Sequence, residues 1–319
     1  MNDGSYSTPE PAPPARVTLP REVAGMRLDQ ALASVLPQYS RSRLAAWIRG
    51  GCVRVDGREV TPKDRVWGGE RVDLAPAPAP EASAFAPEAI PLAVVHEDDH
   101  LLVLDKTPGR VVHPGSGNWH GTLLNALLHH CPALAALPRA GIVHRLDKDT
   151  SGLMVVAKTM AARTSLVRQL AARDVRREYL ALVQGDLERG GTVDAPVGRH
   201  PTQRTRMAVV AAGKAAVTHY EVLERFGACT LLRCRLETGR THQIRVHLTS
   251  IGHPLVGDPV YRRNAAQPAP CRAFTRQALH ATTLAFTHPA SGRALRFDSP
   301  APPDLAALLE ALRRPPPAA

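Results

Sequence analysis

Lysine is scarce in this chain of 319 residues. Of its 40 basic residues only five are lysines, so arginine supplies almost all of the charge that leaves a net +11 over 29 acidic residues. The planar guanidinium of arginine suits phosphates and base edges better than an ammonium group does. Nucleic acid is therefore the leading class of partner, although a G+C-rich genome would produce part of the same bias.

Paired cysteines and long apolar runs are missing too. The five cysteines stand apart with no C-x-x-C spacing, which argues against a disulfide framework and a structural zinc site. The sequence has no run of about 18 apolar residues to cross a bilayer. Its N-terminal residues lack the basic and apolar regions of a secretory signal. These absences predict a cytoplasmic protein with no membrane segment.

Stretches rich in proline and alanine divide the chain. They contain few core-forming side chains, and proline favours extended backbone over the interior of a helix or sheet. We expect a disordered tail at 1–16, a small domain at 17–74, a linker at 75–90, a large domain at 91–312 and a disordered tail at 313–319.

The small domain has the pattern of two helices and a hairpin. Leu28 and Leu32 recur at helical spacing, and Ser40 is a suitable N-cap for a second short helix. Asp56 and Gly57 form a hairpin turn signal. Arginines near the second helix suggest an RNA-facing surface, and a solvated basic helix face explains them equally well.

The segment RLDQALASVLPQYSRSRLAAWIRGGCVRVDGREV, residues 27–60, resembles an S4 domain. Domains of this family are small α+β modules that bind structured RNA through their helical pair. The resemblance therefore implies that Arg41 and Arg43 contact RNA.

The large domain alternates strands with short helices. Residues 92–104 are typical of two strands about an acidic turn. Residues 165–170 belong to a predicted helix that ends in Arg173, Arg176 and Arg177. Because no regular βαβ period appears, we expect an α+β fold with a mixed, mostly antiparallel sheet.

The segment GIVHRLDKDTSGLMVVAKT, residues 141–159, predicts a strand–loop–strand unit with a charged loop. Such loops often carry function. Aspartate carboxyl groups are ionised at neutral pH, so Asp147 could act as a nucleophile without a separate base. From the residues alone, a structural Asp–Arg pair or an Asx turn explains the pattern better.

Three motifs resemble those of the RluA-type pseudouridine synthases. HRLDKDTSGLMVVAKT is similar to the signature motif, in which the HRLD aspartate is catalytic, here Asp147. REYLALV is similar to the second motif and carries Tyr179, and LETGRTHQIRVHL is similar to the third and carries Arg245. The resemblance covers about residues 17–312 and implies a pseudouridine synthase catalytic domain.

Enzymes of this family detach uracil from C1′ of its ribose and reattach it through C5, and the target nucleotide must be flipped into a pocket. The resemblance implies that Asp147 attacks the sugar or the base. Tyr179 would offer a flat ring to the uracil and a phenolic oxygen as a base for the C5 proton; otherwise it is a core tyrosine. Arg245 would pair with Asp147 from one turn into a helix capped by Thr241.

The resemblance also implies contacts with RNA around this site. Arg145 would contact the RNA or fill the gap left by the flipped base. Arg240, together with Arg204 and Arg206 of the stretch 199–206, would contact phosphates.

No cofactor and no metal is expected, since the reaction needs neither and the spacing of His242, His247 and His253 does not match a helical zinc pair. The implied partner is 23S rRNA in the precursor of the large ribosomal subunit, at the stem-loop called helix 69. Two alternatives stay open: specificity for other 23S rRNA or tRNA uridines, and a mainly non-catalytic RNA-binding factor in ribosome assembly. The oligomeric state is not predicted.

Overall fold

A computed structural model gives the fold, and the chain divides between Phe85 and Ala86 into two compact units. The structure describes residues 14–75, 84–115, 117–203, 205–262 and 267–314.

The smaller unit packs two helices on an antiparallel sheet. Its elements are β1 (Ala15–Thr18), α1 (Leu28–Val35), α2 (Arg41–Arg49), β2 (Val53–Val55), β3 (Arg58–Glu59) and β4 (Arg71–Leu74). In the described residues the strand order is β1-β4-β2-β3. The predicted cap is present, because Ser40 Oγ accepts a hydrogen bond from the Arg43 N–H at 3.3 Å. Leu28, Leu32 and Leu44 are fully buried and form the centre of the core.

The larger unit contains one extended sheet, a separate two-stranded sheet formed by its sixth and seventh strands, and helices around them. Its strands are β5 (Val94–Glu97), β6 (Leu101–Lys106), β7 (Ser151–Ala157), β8 (Arg176–Gln184), β9 (Gly191–Asp194), β10 (Val197–Arg199), β11 (Met207–Val209), β12 (Val217–Arg225), β13 (Cys229–Leu236), β14 (Leu279–Thr287) and β15 (Ala294–Asp298). Its helices are α3 (Leu123–His130), α4 (Met160–Ala172), α5 (Gln243–Ser250), α6 (Ala269–Ala273) and α7 (Pro303–Arg313). Short 3-10 turns lie at Arg21–Val23 in the smaller unit and at Pro132–Ala136 and Pro138–Gly141 here.

The large sheet is mixed and mostly antiparallel, which confirms the predicted α+β fold class. Within the described residues its order is β5-β6-β7-β14-β8-β13-β12-β9, with β15 paired to β14. Strands β7 and β14 run parallel over a short stretch, and the other pairs are antiparallel. Since the starts of parallel strands meet at one edge, the loop before β7 lies beside the segment that leads into β14.

The helix predicted through residues 165–170 ends earlier than expected. Arg173 adopts a left-handed conformation (φ 67) that stops α4 after Ala172, and left-handed residues commonly terminate helices in this way. The prediction that the helix ends in Arg176 and Arg177 was wrong, because both belong to β8. Strand β8 is buried along almost its whole length, and a short apolar run of this kind is a strand signal that outweighs the run of arginines.

The expected domain boundaries shift at three places. Ala15 and Arg16, assigned to the tail, lie in β1 and pair with β4. The end of the expected linker is anchored on α3, since Asn125 Nδ2 donates to the Ala86 carbonyl at 2.8 Å. Arg313, assigned to the second tail, ends α7 and forms an ion pair with Glu224 at 2.7 Å. The rest of the two tails, 1–13 and 315–319, and the linker residues 76–83 lie outside the described residues.

Candidate active site

The HRLD segment forms a loop that enters β7. Leu146 is buried beneath it, and the Thr150 N–H donates to the Asp147 carbonyl at 3.1 Å, which closes a turn. Gly152 is pressed against Ala281 of β14, where a Cβ would come within 2.2 Å of the carbonyl oxygen. The first residues of β7 are therefore fixed against β14.

His144 at the start of the segment is a structural residue. It is half-buried, and its Nε2 accepts a hydrogen bond from the Val155 N–H at 3.1 Å. Burial, with a smaller contribution from the positive charge of Arg177, lowers the pKa of His144 to about 3. The imidazole is therefore neutral at physiological pH.

Two buried cations hold the backbone of the loop. Lys106 Nζ donates to the carbonyl of Lys148 at 2.9 Å and to two carbonyls near Lys106 itself. Burial lowers the pKa of Lys106 to about 7, although the charges of Asp149 and Asp147 oppose this shift. Arg276 Nη1 donates to the Asp149 carbonyl at 3.1 Å. The loop thus has a defined conformation without any ligand.

The carboxylate of Asp147 is held on one side only. Arg245 Nη1 donates to Asp147 Oδ2 at 3.0 Å, which is the pair that the third motif implied. The Asp147 side chain is 16% exposed, whereas that of Arg245 is 4% exposed. Among the described residues none donates a hydrogen bond to Asp147 Oδ1. One carboxylate oxygen is therefore left open beside a fixed cation.

Asp258 orients Arg245. It accepts hydrogen bonds from Arg245 Nε at 2.7 Å and from Nη2 at 2.9 Å, and its side chain is completely buried. Its Oδ1 also accepts the N–H groups of Val260 and Tyr261. Burial would lower the pKa of Arg245, but Asp258 and then Asp147 raise it above its ordinary value. The guanidinium is a permanent charge in a fixed orientation.

The residue before α5 also faces Asp147. His242 Nε2 lies 3.9 Å from Asp147 Oδ2, and His242 Nδ1 lies 2.9 Å from the hydroxyl of Tyr261. The predicted N-cap at Thr241 was wrong, because α5 begins at Gln243 with His242 as its N-cap in a left-handed conformation. Arg245 is consequently the third residue of the helix.

Tyr179 lies in β8 and is buried. Burial raises the pKa of Tyr179, the positive charge of Arg177 opposes the shift, and the negative charge of Asp147 adds to it. The phenol is therefore protonated at neutral pH. Among the described residues, none forms a hydrogen bond with its hydroxyl.

The predicted RNA-binding arginines of this unit are spread around the site. Arg145 is exposed two residues before Asp147. Arg240 is exposed, and its Nε donates to the Ala215 carbonyl at 3.1 Å. Arg206 stacks over the Tyr261 ring at 5.8 Å. Arg204 lies outside the described residues.

The two predicted RNA-binding arginines of the smaller unit differ in their surroundings. Arg41 donates to the buried carboxylate of Asp29 through Nε and Nη2, at 3.0 and 2.9 Å. Arg43 stacks its guanidinium over Trp47 at 5.0 Å and over Tyr39 at 5.8 Å. Both side chains are exposed on α2, so their remaining donors face solvent.

Within the part of the chain that the structure describes, no group of three or more His, Cys, Asp or Glu side chains is arranged to hold a metal ion. No helix there is long and apolar enough to cross a membrane.

Reasoning from the sequence missed three side chains of this site. Asp258, Lys106 and Tyr261 were assigned no role, although Asp258 and Tyr261 contact Arg245 and Lys106 donates to the Lys148 carbonyl next to Asp147. Each lies far along the chain from Asp147 and is brought in by the sheet. Asp258 and Tyr261 both lie in GHPLVGDPVY, residues 252–261, a segment that also resembles the family pattern, but this resemblance implies no role for either residue.

Comparisons with known proteins agree with this architecture. A family model described as RNA pseudouridylate synthase matches residues 100–250, and the S4 domain model matches residues 26–72. "Ribosomal large subunit pseudouridine synthase D" of Nitrosomonas europaea is 61% identical over 300 residues, 93% of this chain and 87% of that protein. The protein of the same name from Xanthomonas campestris pv. campestris is 53% identical over 321 residues, 98% of this chain and 96% of that one.

Among solved structures, "Human RNA Pseudouridylate Synthase Domain Containing 1" has a TM-score of 0.55 and 28% identity, and the match covers 72% of this chain and 97% of that chain. The matched family segment contains the loop with Asp147, the strand with Tyr179 and the helix with Arg245. The chain therefore belongs to the RNA pseudouridylate synthase family and carries an S4 domain in its smaller unit.

Proposed function

We propose that this protein isomerises uridine to pseudouridine in the 23S rRNA of the large ribosomal subunit, in helix 69, with Asp147 as the nucleophile. The observation that carries the proposal is the one-sided environment of Asp147. Arg245 fixes Oδ2 at 3.0 Å, while Oδ1 is open. The printed names of relatives that are 61% and 53% identical support ribosomal RNA as the substrate.

The reaction is balanced without a co-reactant. The bond from N1 of uracil to C1′ breaks, a bond from C5 to C1′ forms, C5 loses a proton and N1 gains one. A carboxylate that attacks either the sugar or the base gives the reaction a covalent route. Because Arg245 donates to Oδ2 and fixes the direction of the carboxylate, Asp147 is prepared for this attack.

Tyr179 contributes its ring. The raised pKa of its phenol disfavours the phenolate, so contact with the flipped uracil is better supported than removal of the C5 proton. Aromatic rings commonly stack on bases that have left the helical stack.

Binding of the RNA is assigned to arginines on both units. Arg145 lies beside the nucleophile, where it can occupy the space that the flipped base vacates. Arg240 and Arg206 are assigned to phosphates near the site. Arg41 and Arg43 would bind structured RNA from the S4 domain.

Mapping of pseudouridines in 23S rRNA at single-nucleotide resolution, with and without the gene, tests the substrate. We expect the modifications in helix 69 to disappear from the deletion strain. Unchanged modification there contradicts the assigned site, and a loss confined to other 23S rRNA or tRNA uridines supports the sibling specificity instead.

Asp147→Asn tests the catalytic role. Asparagine retains an acceptor for Arg245 but no ionised oxygen, so we expect loss of turnover with RNA affinity retained. Asp186→Asn, in an exposed pair with Arg225, is the matched control and should be active. Turnover by Asp147→Asn would refute the role of Asp147 as the nucleophile. If the inactive Asp147→Asn variant rescues a ribosome-assembly defect, the non-catalytic alternative is favoured.

A further inference from the structure

His242 has an unusual backbone at a chemically important place. Its φ is 56, in the left-handed region, which is uncommon for a residue other than glycine. This conformation lies directly before α5, whose third residue is Arg245. It brings the imidazole to Asp147, with Nε2 at 3.9 Å from Oδ2. Such outliers cluster at functional sites because the surrounding structure must maintain them.

Tyr261 determines which nitrogen of His242 carries the proton. The Tyr261 hydroxyl accepts the N–H of Met207 at 2.9 Å, and a backbone N–H can only donate. Among the described residues its other polar contact is His242 Nδ1, at 2.9 Å. The buried hydroxyl therefore donates its proton to Nδ1, since an unpaired buried donor is costly. With Nδ1 as acceptor, the proton of the neutral ring is on Nε2.

The ring is neutral in this environment. Burial is the largest influence and lowers the pKa of His242. The negative charges of Asp147 and Asp258 oppose this shift, and the positive charges of Arg245 and Arg145 add to it. The pKa of His242 is lowered overall. A neutral imidazole has one N–H, and the Tyr261 hydroxyl leaves that N–H on the side of Asp147.

The Nε2–H has no acceptor in the described structure. Its distance of 3.9 Å from Asp147 Oδ2 is too long for a hydrogen bond, and Arg245 already donates to that oxygen. The side chain is 21% exposed, so it can be reached by a bound nucleotide. A fixed donor without a partner beside the nucleophile is suited to an acceptor on the substrate.

We propose that His242 is a substrate-positioning residue whose Nε2–H donates a hydrogen bond to a carbonyl oxygen of the flipped uracil, and that Tyr261 holds it in the required tautomer. This inference rests on the proposed function. Attack on the sugar expels uracil as an anion, and attack on the base places negative charge on its ring, so a carbonyl oxygen gains charge by either route. A preorganised donor stabilises the charged oxygen of the transition state more than it stabilises the neutral carbonyl of the ground state.

Single-turnover rates on large-subunit RNA test the role of His242. His242→Ala should reduce the rate about 100-fold, the usual effect of removing one such donor, with RNA affinity unchanged. The variant also leaves the Tyr261 hydroxyl without its acceptor, so the rates are compared at a temperature at which thermal unfolding shows both variants to be folded. His242→Gln places an amide N–H near the original Nε2 and should restore at least a tenth of the wild-type rate. A purely structural role would not distinguish Gln from Ala in rate at equal stability. A wild-type rate for His242→Ala, or equal rates for the two variants, overturns the proposal.

Nitrogen NMR of the full-length protein labelled with 15N-histidine tests the tautomer directly and needs no variant that might fail to fold. We expect a protonated Nε2 and an unprotonated Nδ1 for His242 in the wild type. Tyr261→Phe keeps the ring beside Arg245 but should abolish this preference and lower the single-turnover rate. The opposite tautomer in the wild type overturns the inference. If the wild-type enzyme makes no pseudouridine in ribosomal RNA, the proposed function fails instead.

Discussion

Asp258 binds Arg245 through both carboxylate oxygens and leaves Nη1 of the guanidinium for Asp147. Arg245 and Asp258 are the buried members of this network, and the removal of either one leaves the charge of the other without its main counter-ion in the interior. The network therefore links the stability of the larger unit to the position of the Asp147 carboxylate.

Asp258→Ala should lower the free energy of unfolding by about 3 kcal/mol, because Arg245 then keeps only Asp147 as a counter-ion. Urea denaturation of the full chain measures this loss. Asp186→Ala removes an exposed partner of Arg225 and should leave the urea midpoint almost unchanged. Equal midpoints for the two variants would show that Asp258 is not the main partner of Arg245.

Lys106→Met should slow the single-turnover reaction about 100-fold, since displacement of a catalytic group by about 1 Å has effects of this size. The variant keeps the length of the side chain but removes the donors to the loop carbonyls. Amide hydrogen exchange of the Asp147 loop should increase. Lys158→Met, at the Glu97 pair on another part of the sheet, is the control. Unchanged exchange in Lys106→Met would refute the anchoring role.

His144 should make the protein less stable in mild acid. Its folded pKa of about 3 lies below the ordinary value for an unfolded chain, so only the unfolded state binds the proton between these values. Its contribution is complete above about pH 6.5 and is reduced by about 2 kcal/mol at pH 5.

His144→Gln should flatten this dependence, because glutamine can accept the Val155 N–H without titrating. Comparison of urea midpoints at pH 7 and pH 5 checks the difference. The other histidines are present in both proteins, so their contributions to the pH dependence cancel in the comparison. Parallel losses of stability in the two proteins would refute a half-buried, neutral His144.

Arg43→Ala should weaken RNA binding and reduce the slope of log K against log salt by about 1, the value for one lost phosphate contact. The Arg43 guanidinium forms no ion pair with the described residues, and its contacts are with aromatic rings. Arg16→Ala is the control in the same unit, since Arg16 pairs with Asp73. An unchanged slope for Arg43→Ala would assign Arg43 to packing on Trp47.

Local sequence signals predicted helices and turns well where the signal depends only on residues that are close in sequence. The Ser40 cap and the hairpin turn at Asp56 depend on neighbours in sequence, and both are present. The predicted ends failed where one residue adopts a left-handed conformation, at Arg173 after α4 and at His242 before α5. Neither arginine nor histidine signals that conformation by its type.

The site was predictable from motifs only in part. The segments around Asp147, Tyr179 and Arg245 identified the residues, and the structure places Arg245 against Asp147. Sequence periodicity does not predict the side chains that hold these three residues in place. Asp258 could not be connected to Arg245 because that contact depends on the turn after α5 and on burial.

The anchors of the Asp147 loop have a consequence for biosynthesis. Arg245 is separated from Asp147 by 98 residues, and Arg276 from the Asp149 carbonyl by 127. A growing polypeptide presents the S4 domain and the HRLD segment long before the residues that fix that segment have been translated. Contacts of such long range form late in folding. The nascent chain can therefore meet RNA well before it becomes a catalyst, and a chain truncated before Arg245 would keep the S4 domain but lack the groups that hold Asp147.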